Sequence, residues 1–185
     1  MILGGISMIT MLAKIFIKNR PAKEQRQAYG TLCSIVGICL NVCLFAGKYF
    51  AGMLSGSVAI TADADAFNNL SDAGSSFITL AGFLYAGKTP DSEHPFGHGR
   101  FEYVSGFVVA IAILMMGFEL LKTSFSKILH PEAVDTSLLA MGILVCSILV
   151  KIYMYCYNHY IGKKLDSDAM QATAMDSLSD TIATV

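Results

Sequence analysis

Charge is scarce in this chain. Only 15% of its 185 residues are Asp, Glu, Lys or Arg, where soluble domains carry about 25%. With 54% hydrophobic residues and a mean hydropathy of +0.56, that deficit excludes an ordinary soluble domain and points to an all-α, polytopic membrane protein. An excess of basic charge is lacking too. The net charge of −1 creates no field that would attract nucleic acid, and no nucleic-acid partner is expected. No CxxC pair occurs. Cys33, Cys39, Cys43, Cys146 and Cys156 all lie in apolar segments and are expected to be small buried hydrophobes. A cleavable leader is also not expected: Met1–Thr10 is apolar but short, and basic residues follow it rather than precede it.

What is present is a series of long apolar stretches. About 20 apolar residues cross a bilayer, and five spans are expected, at about 29–53, 57–87, 102–126, 136–161 and 165–185. Residues 1–28 form an N-terminal segment that carries Lys14, Lys18, Arg20, Lys23 and Arg26, and in it Pro21 should break any short interfacial helix. Ser55-Gly-Ser57 reads as a tight turn, 88–100 as a polar loop, and 128–135, with Pro131, as another loop. The fifth span is not called for by hydropathy, because it carries Asp166, Asp168, Asp176 and Asp180. It is assigned because it mirrors the second.

The second span holds Asp63, Asp65, Asn68, Asn69 and Asp72. Carboxylates inside a span are costly and by default mark a functional site. At 100° per residue, Asp65, Asn68 and Asp72 lie within about 60° of one another on one helix face, while Asp63 points nearly the opposite way. Asp176 and Asp180 repeat the i, i+4 spacing of Asn68 and Asp72. Five of the thirteen Lys and Arg residues precede the first span, and Lys88, Arg100, Lys163 and Lys164 fall on the same side. The positive-inside rule makes that side, and the N-terminus, cytoplasmic. The sequence does not place Lys48 or Lys151. Span two is entered from outside and span five from inside, and each pair lies eleven and fifteen residues in. At 1.5 Å per residue that is roughly 17–22 Å from either end, so both pairs reach the middle of the bilayer and can meet.

Asn68, Asp72, Asp176 and Asp180 offer only oxygen. Hard divalent cations prefer oxygen, whereas zinc in tight sites recruits His or Cys, and no histidine lies at this depth. The set points to Mn²⁺ before Zn²⁺, with Fe²⁺, Cd²⁺ and Mg²⁺ left open. Three crowded carboxylates without a metal should hold at least one proton. Metal binding then expels protons, which gives exchange a physical basis. Asp65 is a candidate to support the site from behind or along the pathway. Asp63 reads as a solvated residue of an outer vestibule.

A second constellation is Asp91, His94 and His98 in the loop. Its mixed donors suit zinc better. The plainer reading is a capped turn, with Asp91 as the cap and Gly97 and Gly99 for backbone freedom.

Four stretches together resemble the cation diffusion facilitator family: Ser57-Val-Ala-Ile-Thr-Ala-Asp63, Asn68-Asn-Leu-Ser-Asp72, His94-Pro-Phe-Gly-His-Gly-Arg-Phe-Glu102 and Asp176-Ser-Leu-Ser-Asp180. The resemblance covers about residues 28–185 and implies a transporter rather than an enzyme. It implies a homodimer of six-span subunits with a cytosolic ferredoxin-like domain, exchanging a divalent metal for protons. It assigns 29–185 to the transmembrane domain. Asn68, Asp72, Asp176 and Asp180 match the family's manganese-type pattern, and Asp91, His94 and His98 match its loop site. Two features depart from the pattern. Ala62-Asp-Ala-Asp-Ala66 looks like a duplication of a single Ala-Asp-Ala, and the sixth span and cytosolic domain are absent, so a fragment is expected. Efflux of Zn²⁺ or Fe²⁺ by the same fold is one alternative reading. An ion channel or an intramembrane hydrolase using paired aspartates is another.

Overall fold

The computed structural model describes Met11, Ile17 and residues 22–55, 59–130 and 138–184. The expected interfacial helix, the turn at 55–57 and the Pro131 loop fall wholly or largely outside these residues. Among the described residues there are five long helices: α1 Ala22–Ser55, α2 Ala59–Ala86, α3 Phe101–Leu129, α4 Leu138–Leu165 and α5 Asp168–Thr184. Among the described residues helix α1 begins at Ala22, and so takes in the last residues of the N-terminal segment. Three helices contain stretches long and apolar enough to cross a membrane: Glu24–Phe50, Phe101–Ser126 and Met141–Leu165. Helices α2 and α5, which carry the carboxylates, are outside that set.

Each helix runs antiparallel to the one before it. Helix α1 packs on α2, α2 on α3, α3 on α5, α5 on α4, and α4 back on α1, and α5 also touches α2. The core between α1, α2, α4 and α5 contains Cys33, Phe83, Met154, Tyr157, Ile161, Ala169 and Met170. The outer surface is strongly apolar, with Phe107, Leu114, Phe118, Leu121 and Phe125 all exposed on α3. Such a surface suits contact with lipid rather than water. The cysteines divide accordingly. Cys33 is buried, but Cys39, Cys43 and Cys146 are exposed, which corrects the expectation that all five are interior. In a bilayer an apolar side chain gains little by turning inward, so small hydrophobes need not be buried.

Close approach of α5 depends on small residues. A Cβ placed on Gly106 of α3 would lie 3.0 Å from the backbone of Ala169, so only glycine lets these two helices come so near. The α4–α5 turn is equally specified. Asp166 adopts a left-handed conformation, φ 52°, and Ser167 N–H donates to Gly162 O at 2.9 Å, the pattern of a Schellman helix end. Ser167 then caps α5, its Oγ accepting from Met170 N–H at 3.4 Å. Ser167→Ala is expected to cost about 1 kcal/mol, read as a lower thermal midpoint in detergent. An unchanged midpoint would show that the cap carries no net stability.

Arg26 closes the same end of the bundle. Its guanidinium bonds Glu102 at the start of α3 through Nη2 at 2.9 Å and Nε at 3.1 Å. Nη2 also donates to Asp166 O at 2.9 Å. One side chain thereby ties α1, α3 and the α4–α5 turn together.

Candidate metal centre

The register of α2 on α5 is set by buried hydroxyls. Thr79 Oγ1 and Thr173 Oγ1 lie 3.1 Å apart across the interface. Asp72 stands seven residues before Thr79, and Asp180 stands seven after Thr173. On antiparallel helices those steps run in the same direction and cover the same two turns. Asp72 therefore arrives opposite Asp180, with Asp176 one turn away.

The three carboxylates converge. Oxygens of Asp72, Asp176 and Asp180 lie within 4.8 Å of one another, and all three residues are buried. Asp72 Oδ1 and Asp176 Oδ1 are buried and lack a hydrogen-bond partner among the described residues. Buried carboxylate oxygens without partners are costly, and a divalent cation is the partner that fits an all-oxygen cluster. A cavity of about 420 Å³ between α3 and α5 reaches Asp176, Ser179 and Asp180, with its α3 wall made of apolar residues such as Ile113, Met116 and Leu120.

Asn68 is placed differently. It is exposed, and the neighbouring Asn69 is the buried amide. The i, i+4 spacing does put Asn68 on the face of Asp72, but a turn further from the Thr79–Thr173 contact. The structure does not enclose it with the carboxylates. The side chains of Asp63 and Asp65 lie outside the described residues.

Sequence reasoning missed Lys151. It projects from α4, is 4% exposed, and its Nζ donates to Asp72 Oδ2 at 2.6 Å and to Asp180 Oδ2 at 2.7 Å. An ammonium of the protein itself therefore neutralises part of the charge of the three carboxylates, a partner that the expectation of a retained proton did not include. A signal existed in the sequence, since a lysine deep in an apolar span needs an anionic partner. Lys48, the other unplaced lysine, is buried on α1.

At the Arg26 end of the bundle, Asp91, His94 and His98 also gather, with ligand atoms within 4.8 Å of one another. Asp91 Oδ1 accepts from His94 N at 2.7 Å and from Glu93 N at 3.1 Å. The capped turn is thus real, with Gly97 at φ 84°. The His94 N–H, with the two imidazoles adding to it, holds the Asp91 carboxyl below its ordinary range. Asp91 is therefore an anion at neutral pH. His94 Nδ1 and His98 Nε2 each stand 3.4 Å from an Asp91 oxygen, and the rings are 4.4 Å apart. The capping and metal-ligating geometries coexist here.

An apolar-surfaced helical bundle with a buried carboxylate cluster is the architecture of an integral membrane protein that handles cations. The sequence matches the cation efflux transmembrane domain over residues 34–185, and the chain belongs to that family. It is 30% identical over 163 residues to the manganese efflux system protein MneP of Bacillus subtilis, covering 88% of this chain and 54% of that protein. It is 28% identical over 152 residues to MneS of the same organism, covering 82% and 52%. An uncharacterized transporter of Methanocaldococcus jannaschii is 32% identical over 154 residues, covering 83% and 53%. The chain spans about half the length of these relatives. They are named as transporters or efflux proteins, not enzymes.

Proposed function

We propose that this chain is the transmembrane portion of a manganese exporter that exchanges Mn²⁺ for protons. The observation that carries this reading is the meeting of Asp72, Asp176 and Asp180 from two antiparallel helices, buried and with ligand atoms within 4.8 Å. The donors are carboxylates only, which favours a hard cation over zinc. MneP and MneS are named as manganese efflux proteins, which supports the same ion. Asn68 joins the set from its exposed position one turn outward, where it meets the ion on its way to or from the carboxylates. Asp65 supports that approach. The cavity beside Asp176 and Asp180 supports an access route.

Five spans cross the bilayer, with the N-terminus, the 88–100 loop and Lys163-Lys164 on the cytoplasmic side, as the distribution of basic residues favours. The working unit is a homodimer. Asp91, His94 and His98 hold a second cation at the cytoplasmic surface, where the two imidazoles favour zinc. Protons and metal compete for the same buried oxygens, and alternating access turns that competition into antiport.

The test is proton movement in proteoliposomes carrying an internal pH dye. External Mn²⁺ is expected to drive proton flux, and Zn²⁺ to drive less. Flux driven by Zn²⁺ alone would overturn the assignment of the ion. Metal uptake with no proton movement would overturn the coupling.

A further inference from the structure

Lys151 is not needed to complete a metal site, yet it occupies the middle of one. Its Nζ bonds Asp72 Oδ2 at 2.6 Å and Asp180 Oδ2 at 2.7 Å. A divalent cation held by carboxylates sits about 2.0–2.6 Å from their oxygens. An ion at that distance from Asp72 Oδ2 and Asp180 Oδ2 would stand in nearly the same place as the ammonium. Two positive centres so close in a poorly hydrated interior repel strongly. The ammonium and the ion therefore cannot both use these oxygens. Asp176 is different: it has a buried oxygen without a partner, and no bond joins it to Lys151. It stays available for a first contact while Lys151 still holds the other two.

We propose that Lys151 is a resident, tethered cation that competes with the transported ion for Asp72 and Asp180, and so sets how weakly the cluster holds its cargo. This inference rests on the reading of the cluster as the transport site. A lysine suits the task. Its four-carbon stem rotates freely and its ammonium is a compact charge, so it can leave and return without moving a helix. A transporter must release what it binds. An internal cation that re-enters as the ion leaves lowers the affinity and spares the departing state three uncompensated carboxylates.

A purely structural lysine would pin α2, α4 and α5 together and do nothing else. Binding of Mn²⁺ to the purified chain in nanodiscs, read from loss of the free-ion electron paramagnetic resonance signal, separates the two. Lys151→Met and Lys151→Gln are expected to lower the Kd for Mn²⁺ at least about tenfold, because both remove a unit charge from the ion's own place. Glutamine retains a donor for the carboxylates, in case the methionine variant does not fold. If neither variant folds, wild-type protein crystallised with Mn²⁺ answers the question: the Lys151 ammonium is expected to have left both carboxylates. An unchanged or raised Kd in either folded variant, or an ammonium still bonded to both carboxylates beside the bound ion, overturns the proposal. Asp72→Ala is the control for the site. Loss of Mn²⁺ binding there, with no gain in the lysine variants, sinks the competition alone. Wild-type affinity in Asp72→Ala sinks the site reading and the competition with it.

Discussion

Asp176→Ala is expected to abolish Mn²⁺-driven proton movement while leaving the fold in place. Outer-sphere partners of a metal already change affinity about 10–100-fold, and loss of a direct ligand should exceed the upper end of that range. The fold survives because Asp176 takes no part in the ion pairs of Lys151, which bind Asp72 and Asp180. Asp72→Ala should be equally inactive for a mixed reason. It removes a ligand and also breaks a buried charge pair, which costs about 3–5 kcal/mol. A lower thermal midpoint is therefore expected in Asp72→Ala and not in Asp176→Ala. The flux assay and a thermal scan of the two variants together separate lost binding from lost structure. Full flux in Asp176→Ala would remove the carboxylate cluster as the exchange site.

The second large effect concerns the choice of ion. Asp176→His places an imidazole among the carboxylates, softens the donor set and favours tetrahedral zinc. The ratio of Zn²⁺ to Mn²⁺ transport should rise by about tenfold, the equivalent of about 1.4 kcal/mol. Asn68→His should act in the same direction but more weakly, because Asn68 is exposed and stands outside the enclosed cluster. Competition of the two metals in the same liposomes measures both. An unchanged ratio in Asp176→His would remove Asp176 from the ligand set.

Much of this architecture is legible before any coordinates. Spans at about 29–53, 57–87, 102–126, 136–161 and 165–185 correspond to helices Ala22–Ser55, Ala59–Ala86, Phe101–Leu129, Leu138–Leu165 and Asp168–Thr184. The ends differ by a few residues, and at the α4–α5 turn Asp166 and Ser167 set them, not hydropathy. Helix α5 is the instructive case. Its polar composition hides it from any hydropathy scale, and its match to the spacing and depth of Asn68 and Asp72 reveals it.

Spacing and depth also suffice to bring Asp72, Asp176 and Asp180 together, since a helix has a fixed rise and a fixed angle per residue. They do not suffice for Asn68. Sharing a face with Asp72 specifies a direction, but whether that direction is enclosed depends on which helix covers it. Lys151 shows the same limit more sharply. It sits on α4, 29 residues before Asp180 and 79 after Asp72, with no periodicity linking it to either. Arg26 and Glu102, 76 residues apart, are joined in the same way across one end of the bundle.

The division follows from the reach of the forces involved. Membrane class, helix count and the pairing of carboxylates at one depth are consequences of local periodicity and of the cost of charge in hydrocarbon, both of which act along a single helix. The burial of Asn69 rather than Asn68, the cavity beside Asp176 and the ammonium between Asp72 and Asp180 arise where separate helices meet. Those were decided only by the packing of α3, α4 and α5 with α2, because a side chain has its neighbours only once the helices are in place.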